Sequence, residues 1–209
     1  MRKLVSLHTQ KQGFTIVELL VATVVFSVVL LTVTLGIVQV SRVYYKGINE
    51  ADVQNSARSI MDTITQSIQF SGATVTATPA PQIGTLQAFC IGNTQYNYRL
   101  GYQLVDNSPG TNQTTLALAS KDGVSGCDGA AASNSGKEFL SPNMRLSDLK
   151  VVEVSPDRLY KVTVRVVFGD DDLLNDPTSA TASCKSSTGS QFCSVSELTS
   201  TVYKRVGAN

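Results

Sequence analysis

Residues 14–40 (FTIVELLVATVVFSVVLLTVTLGIVQV) hold one ionisable side chain, Glu18. On insertion scales a charge at the centre of a membrane helix costs up to about 2.5–3.5 kcal/mol, less near an end, and such residues are as a rule paired and functional. No basic side chain lies between residues 14 and 41. Within the run, therefore, Glu18 has no basic side chain to pair with.

The other groups able to do chemistry are fewer than the length suggests. His8 is the single histidine, so a histidine base or cluster has one residue to draw on. The four cysteines are Cys90, Cys127, Cys184 and Cys193. Their spacings do not make a C-x-x-C zinc pattern. Asp170, Asp171, Asp172 and Asp176, with Asn175, form one dense acidic cluster. It reads as a calcium loop, whose hard cation takes several oxygens, or as a solvated turn. Its spacing is not that of an EF-hand. Asn112, Gln113 and Thr114 fit a glycosylation sequon. No phosphate-binding loop, nucleophile elbow or H-E-x-x-H motif occurs. The expectation is a non-enzyme with no cofactor and no metal.

These groups sit in four compositional segments. Residues 1–13 carry Arg2, Lys3 and Lys11 and no acid. The apolar run 14–40 would measure about 40 Å as a helix at ~1.5 Å per residue, and a bilayer core needs only ~20 such residues. Lipid demands a helix here whatever the Val and Ile content, because a lone strand leaves its backbone unsatisfied. The basic flank places residues 1–13 in the cytoplasm and residues 41–209 outside. A secretory signal has a shorter apolar region and an A-x-A-like site after it. Val40, Ser41, Arg42 and Val43 supply none.

Residues 41–70 extend the same helix. Val53, Ala57, Ile60, Ile64 and Ile68 fall on one face at helical spacing, no proline occurs before residue 79, and Ser71-Gly72 is the expected stop. Residues 71–209 form a strand-rich head. Tyr96, Tyr98, Leu100, Tyr102 and Leu104 alternate along 94–104, and Tyr160, Val162, Val164, Val166 and Phe168 along 158–168. Weaker strands are expected at 85–91, 114–120, 149–154 and 199–206. Asn107, Ser108, Pro109 and Gly110 signal a turn, and 121–137 and most of 172–196 read as loops. The fold class is α+β: a long N-terminal helix, membrane-spanning and then amphipathic, packed on an antiparallel sheet with one buried face. An even cysteine count in an oxidising compartment suggests disulfides. Of three possible connectivities the expected one is Cys184–Cys193 with Cys90–Cys127.

Composition agrees with this division. The chain has 209 residues, 17 basic and 16 acidic, for a formal net charge of +1. Hydrophobic residues make up 42% and charged ones 16%, so a core is available and nucleic-acid binding, which needs a basic excess, is not expected.

Lys11-Gln12-Gly13-Phe14-Thr15-Ile16-Val17-Glu18-Leu19-Leu20 resembles the processing signal of type IV pilins and pseudopilins. The resemblance covers residues 1–40 closely and the helix-then-head layout more loosely. It implies that a membrane prepilin peptidase cuts after Gly13 and methylates the amine of Phe14. An inner-membrane assembly platform then moves the subunit from the lipid bilayer into a filament with other pilin or pseudopilin subunits. In that family the partner of the Glu18 carboxylate is the N-terminal amine of a neighbouring subunit. The resemblance implies a structural subunit, by size and texture a minor pilin. Pseudopilins of type II secretion or of competence DNA uptake share the junction. A signal-anchored surface binding protein that never polymerises is the alternative of another class, and would retain residues 1–13.

Overall fold

The computed structural model describes residues 13–72, 75–104, 116–124, 131–156, 158–186 and 189–205. The chain divides into two units, Met1–Arg42 and Val43–Asn209. Helix α1, Ile16–Phe70, runs uninterrupted for 55 residues and belongs to both. In the first unit its apolar residues lie exposed along their whole length. An 18-residue window of α1 has a mean hydropathy of 2.7, so the helix is long and apolar enough to cross a membrane. Threonine and serine interrupt the run without breaking it. Thr23, Ser27, Thr32, Thr34 and Ser41 each return their hydroxyl to a carbonyl three or four residues back, so these five hydroxyl donors are satisfied within the helix.

In the second unit α1 buries Val53, Ala57, Ile60, Met61, Ile64 and Ile68. This is the stripe expected from the spacing, widened by Met61. Each isoleucine removed from water contributes roughly 1.5–3 kcal/mol. Helix α1 ends at Phe70, where Ser71 N–H closes on the Ser67 carbonyl at 2.9 Å and Arg205 N–H takes the Gln69 carbonyl at 3.1 Å.

Among the described residues the head has nine strands: β1 Leu86–Ile91, β2 Thr94–Arg99, β3 Leu118–Lys121, β4 Lys137–Glu138, β5 Met144–Ser155, β6 Leu159–Phe168, β7 Leu174–Asn175, β8 Ser183–Cys184 and β9 Ser194–Tyr203. They form not one sheet but a four-stranded sheet in order β1-β2-β3-β4, a three-stranded sheet β5-β6-β9 and a two-stranded ribbon β7-β8. Every strand pairing is antiparallel.

Gly101 is the reason the expected strand 94–104 splits. Its φ of 72° is open to glycine at little cost, and a Cβ there would meet Ile83 Cγ2 at 3.0 Å and Thr178 Cα at 3.2 Å. β2 therefore stops at Arg99. Leu100 and Gln103 cross over to bridge Leu146 and Arg145 of β5. Tyr96, Tyr98 and Leu100 are buried as the alternation requires, while Tyr102 and Leu104 are only half-buried. β5 and β9 are longer than expected from the sequence, starting at Met144 and Ser194 because each pairs along most of β6. Strand β6 buries Tyr160, Val162, Val164 and Val166 on one face, as expected, with Phe168 partly buried.

A single core joins the α1 stripe to both larger sheets. Phe89 stacks on Tyr96 at 4.9 Å, and the Tyr96 and Ser67 hydroxyls share a hydrogen bond of 2.9 Å across the helix–sheet contact. Glu138 fixes the end of the first sheet. Its half-buried carboxylate accepts four backbone N–H groups, from Ala117, Leu118, Phe139 and Leu140, at 2.8–3.0 Å. Burial pushes its carboxyl up from the ordinary value, and those four donors pull against that rise.

Tyr98 is buried, and its hydroxyl has no hydrogen-bond partner among the described residues. Burial, reinforced by the Asp148 charge, pushes its ionisation up to about 12. A group whose folded value exceeds its unfolded value of about 10 lends stability that is full at neutral pH and is lost as pH rises from there to about 12. Tyr98→Phe should change stability by no more than about 1 kcal/mol at pH 7, because it deletes an unpaired hydroxyl. It should also flatten the fall in stability of the wild-type chain above pH 10. Urea unfolding of the detergent-solubilised chain at pH 7 and across that alkaline window reads both.

Candidate functional site: the amino-terminal junction

Gly13, Phe14 and Thr15 precede the first helical residue, Ile16. All three are exposed, Phe14 at 88%. A Cβ built on Gly13 meets no atom within 4 Å. Nothing in the described part of this chain therefore demands a glycine at the junction.

Thr15 and Glu18 start the helix together. The Thr15 hydroxyl accepts the Glu18 N–H at 3.2 Å, and the Glu18 carboxylate accepts the Thr15 N–H at 2.9 Å. This is a reciprocal capping box, which satisfies N–H groups that a helix start leaves without partners. The Thr15 hydroxyl also donates to Glu18 Oε2 at 3.0 Å. Both bonds fall on Oε2, and Oε1 has no hydrogen-bond partner among the described residues. Glu18 is thus held in one conformation by its own turn, with one oxygen free. In the sequence, Thr15 stands out only as part of the junction. The T-x-x-E spacing that announces the box was legible in it.

Grooves of about 650 and 490 Å³ flank the line from Glu18 to Phe26. Ala22, one turn beyond Glu18, lines both. The chemistry offered is an exposed peptide bond, an apolar helix surface and one anchored carboxylate.

The remaining candidates lie in the head. Cys184 and Cys193 are joined, with Cα atoms 5.7 Å apart. Cys90 is disulfide-bonded. Cys127, its expected partner, lies outside the described residues, as do His8, the Asn112 sequon and the turn at residues 107–110. In the acidic cluster, Asp171 pairs with Arg145 at 2.6 Å and Asp170 accepts from Gln103 Nε2 at 3.0 Å. Arg145 is 1% exposed and also donates to the carbonyls of Gly169 and Pro177. The first two acids are therefore spent on organising the segment around a buried guanidinium. Among the described residues no group of three metal-binding side chains converges anywhere.

The capping box generates a direct test. Thr15→Val removes the hydroxyl and should cost about 1 kcal/mol at the helix start. Amide exchange of residues 16–19 in detergent micelles should quicken about fivefold, and Thr15→Ser should restore it.

Residues 8–34 match the family profile of the prokaryotic N-terminal methylation motif. No curated protein and no solved structure gives a significant match. The motif implies processing by prepilin peptidase and assembly with other pilins, and points to a structural subunit. The chain carries the prepilin signal of type IV pilins and pseudopilins, followed by the long helix and antiparallel sheets of a pilin-like α+β layout.

Proposed function

We propose that the chain is made as a prepilin, cut after Gly13, N-methylated on Phe14 and assembled as a minor pilin of a type IV filament. The observation that carries this is the methylation motif at residues 8–34, centred on an exposed junction. Residues 1–13 are the leader, 14–40 the membrane and assembly helix, 41–70 its amphipathic continuation and 71–209 the extracytoplasmic head. Before assembly the chain crosses the bacterial cytoplasmic membrane once, its basic N-terminus inside. The minor-pilin choice rests on size and on the two cysteine pairs: removing 13 residues from 209 leaves 196.

The empty space around Gly13 supports the processing step. Since the chain tolerates a side chain there, the need for glycine belongs to the cleft of the peptidase. Gly13→Leu should leave the precursor folded and membrane-bound and reduce cleavage by about two orders of magnitude, the loss that a misplaced scissile bond brings. Mass spectrometry of the N-terminus checks this, with methylated Phe14 expected from the parent chain. An intact Met1 terminus in assembled filaments overturns the reading.

Glu18 has two jobs in this proposal, capping its own helix and pairing through Oε1 with the Phe14 amine of a neighbouring subunit. Gln can also serve as the fourth residue of a capping box. Glu18→Gln therefore keeps the first job and discards the charge. Its incorporation into sheared filaments, read by immunoblot, should fall about tenfold, as far as that of Glu18→Leu, and its membrane insertion should be intact. Normal incorporation of the Gln variant would leave the cap as Glu18's only task. The phenotype of a deletion separates the systems: lost fibres and twitching for a pilus, lost exoprotein release for type II secretion, lost transformation for competence.

A further inference from the structure

The C-terminal disulfide carries an aromatic side chain to the helix. The bridge Cys184–Cys193 closes a loop whose last turn, the 3-10 segment Ser190–Phe192, lies against α1. Asn49 Nδ2 donates to the Gln191 carbonyl at 3.0 Å, and the Phe192 ring sits 5.9 Å from that of Tyr45. The Tyr44 ring lies 6.1 Å from Tyr45. All three rings remain open to solvent: Tyr44 at 65%, Tyr45 at 50% and Phe192 at 45%. The first charges after Glu18 are Arg42 and Lys46, both cationic and both exposed, and the next acid is Glu50.

We propose that Tyr44, Tyr45, Lys46 and Phe192 form a docking surface for the outer headgroup layer of an anionic bilayer, which seats the unassembled subunit at a fixed depth. The proposal rests on the reading of residues 14–40 as the membrane span. Tyr44 lies 28 residues beyond Ile16, the first residue of α1, about 42 Å at ~1.5 Å per residue, which matches the ~40–45 Å of a bilayer with its headgroups. Tyr44 and Tyr45 thus reach the far interface when Ile16 lies at the near one. Amphipathic rings concentrate at that level, and each nearby cation gains about 1 kcal/mol from an anionic surface. Phe192 is not part of the helix and owes its place there to the bridged loop. An aromatic presented to water on a disulfide-tied turn has no core to fill, and the ring belt of the interface gives it one.

The chain contains no tryptophan, so Phe192→Trp installs a single indole. The full-length variant is reconstituted in phosphatidylcholine–phosphatidylglycerol vesicles and read by quenchers placed at different lipid depths. Phe70→Trp is the reference, about 39 Å further along α1 than Tyr44. The indole at position 192 should be quenched best by a shallow label, at least about twofold more than the reference, as an interfacial ring should be. Adding Cys184→Ser and Cys193→Ser should bring it down to the reference. Tyr45→Trp, read in the same way, stands in if the first variant does not fold. Quenching at position 192 no stronger than at position 70 overturns the proposal. If that indole is also shielded from iodide in filaments, the surface belongs to a neighbouring subunit instead. Loss of the chain from vesicles on carbonate washing refutes the membrane span itself, a result distinct from a wrong depth, and the proposal falls with it.

Discussion

The burial of one helical stripe organises the head. Val53, Ala57, Ile60, Met61, Ile64 and Ile68 sit in a core that includes both larger sheets. Neither sheet is complete without them. The first contributes Phe89, Ile91, Tyr96 and Tyr98 and the second Leu149, Val151, Tyr160, Val162 and Val164. Antiparallel sheets of three and four strands with one apolar face need a cover, and α1 is the cover for both. The same helix has a second requirement in its first half, where lipid forbids any unsatisfied backbone. An uninterrupted α-helix meets both demands, which accounts for 55 residues without a break.

Side chains around this core satisfy backbone that the sheets leave open. Glu138 gathers four N–H groups where the short strand β4 ends. Arg145 collects the Gly169 and Pro177 carbonyls and the Asp171 carboxylate, so the segment after β6 is built around a buried cation. On the face of the second sheet opposite the α1 stripe, Asp148, Arg165 and Glu197 stand in register across three strands, and Arg165 is ion-paired with Glu197 and donates to the Ala182 carbonyl. The Asp171 end of the Arg145 pair is 72% exposed, so that pair is weak evidence of stability by itself. The same segment is anchored by Leu174 and Ala182, which are buried in a second cluster with Val167 and Cys193.

What could be read from the sequence follows the range of the interactions. The apolar run, the α1 stripe and the alternation along β6 are local periodicities, and the structure shows each where the spacing placed it. The division into two sheets is not local. It depends on Leu100 meeting Leu146 and Gln103 meeting Arg145, and no pattern within residues 94–104 announces a partner some 45 residues away. Gly101, inside that alternation, was the available sign of a break. Strand β9 was expected only from residue 199 because its first half, SVSE, alternates apolar and polar residues too weakly to read as strand. Its pairing with β6 overrides that weakness. At the junction, the residue types were legible and the reciprocal cap was legible by spacing. The docking of Phe192 on Tyr45 was not, since 147 residues separate the two.

Strand β9 is the last of the described strands in chain order, and it completes the sheet on β6. Val202 enters the core beside the stripe, Lys204 N–H reaches the Arg158 carbonyl, and Arg205 N–H caps the end of α1. The stripe is therefore synthesised first and covered last, with about 130 residues between Ile68 and its final neighbours. Contacts of such separation form slowly, because loop closure precedes any reward from packing. Until β9 arrives, the second sheet lacks its third strand and the core lacks Val202, so the cover over the stripe is incomplete. A tether at the membrane restricts how far that sticky surface can wander and which other chains it can meet. If residues 14–40 anchor the chain as proposed, the order of the strands makes that anchor a guard of the unfinished head.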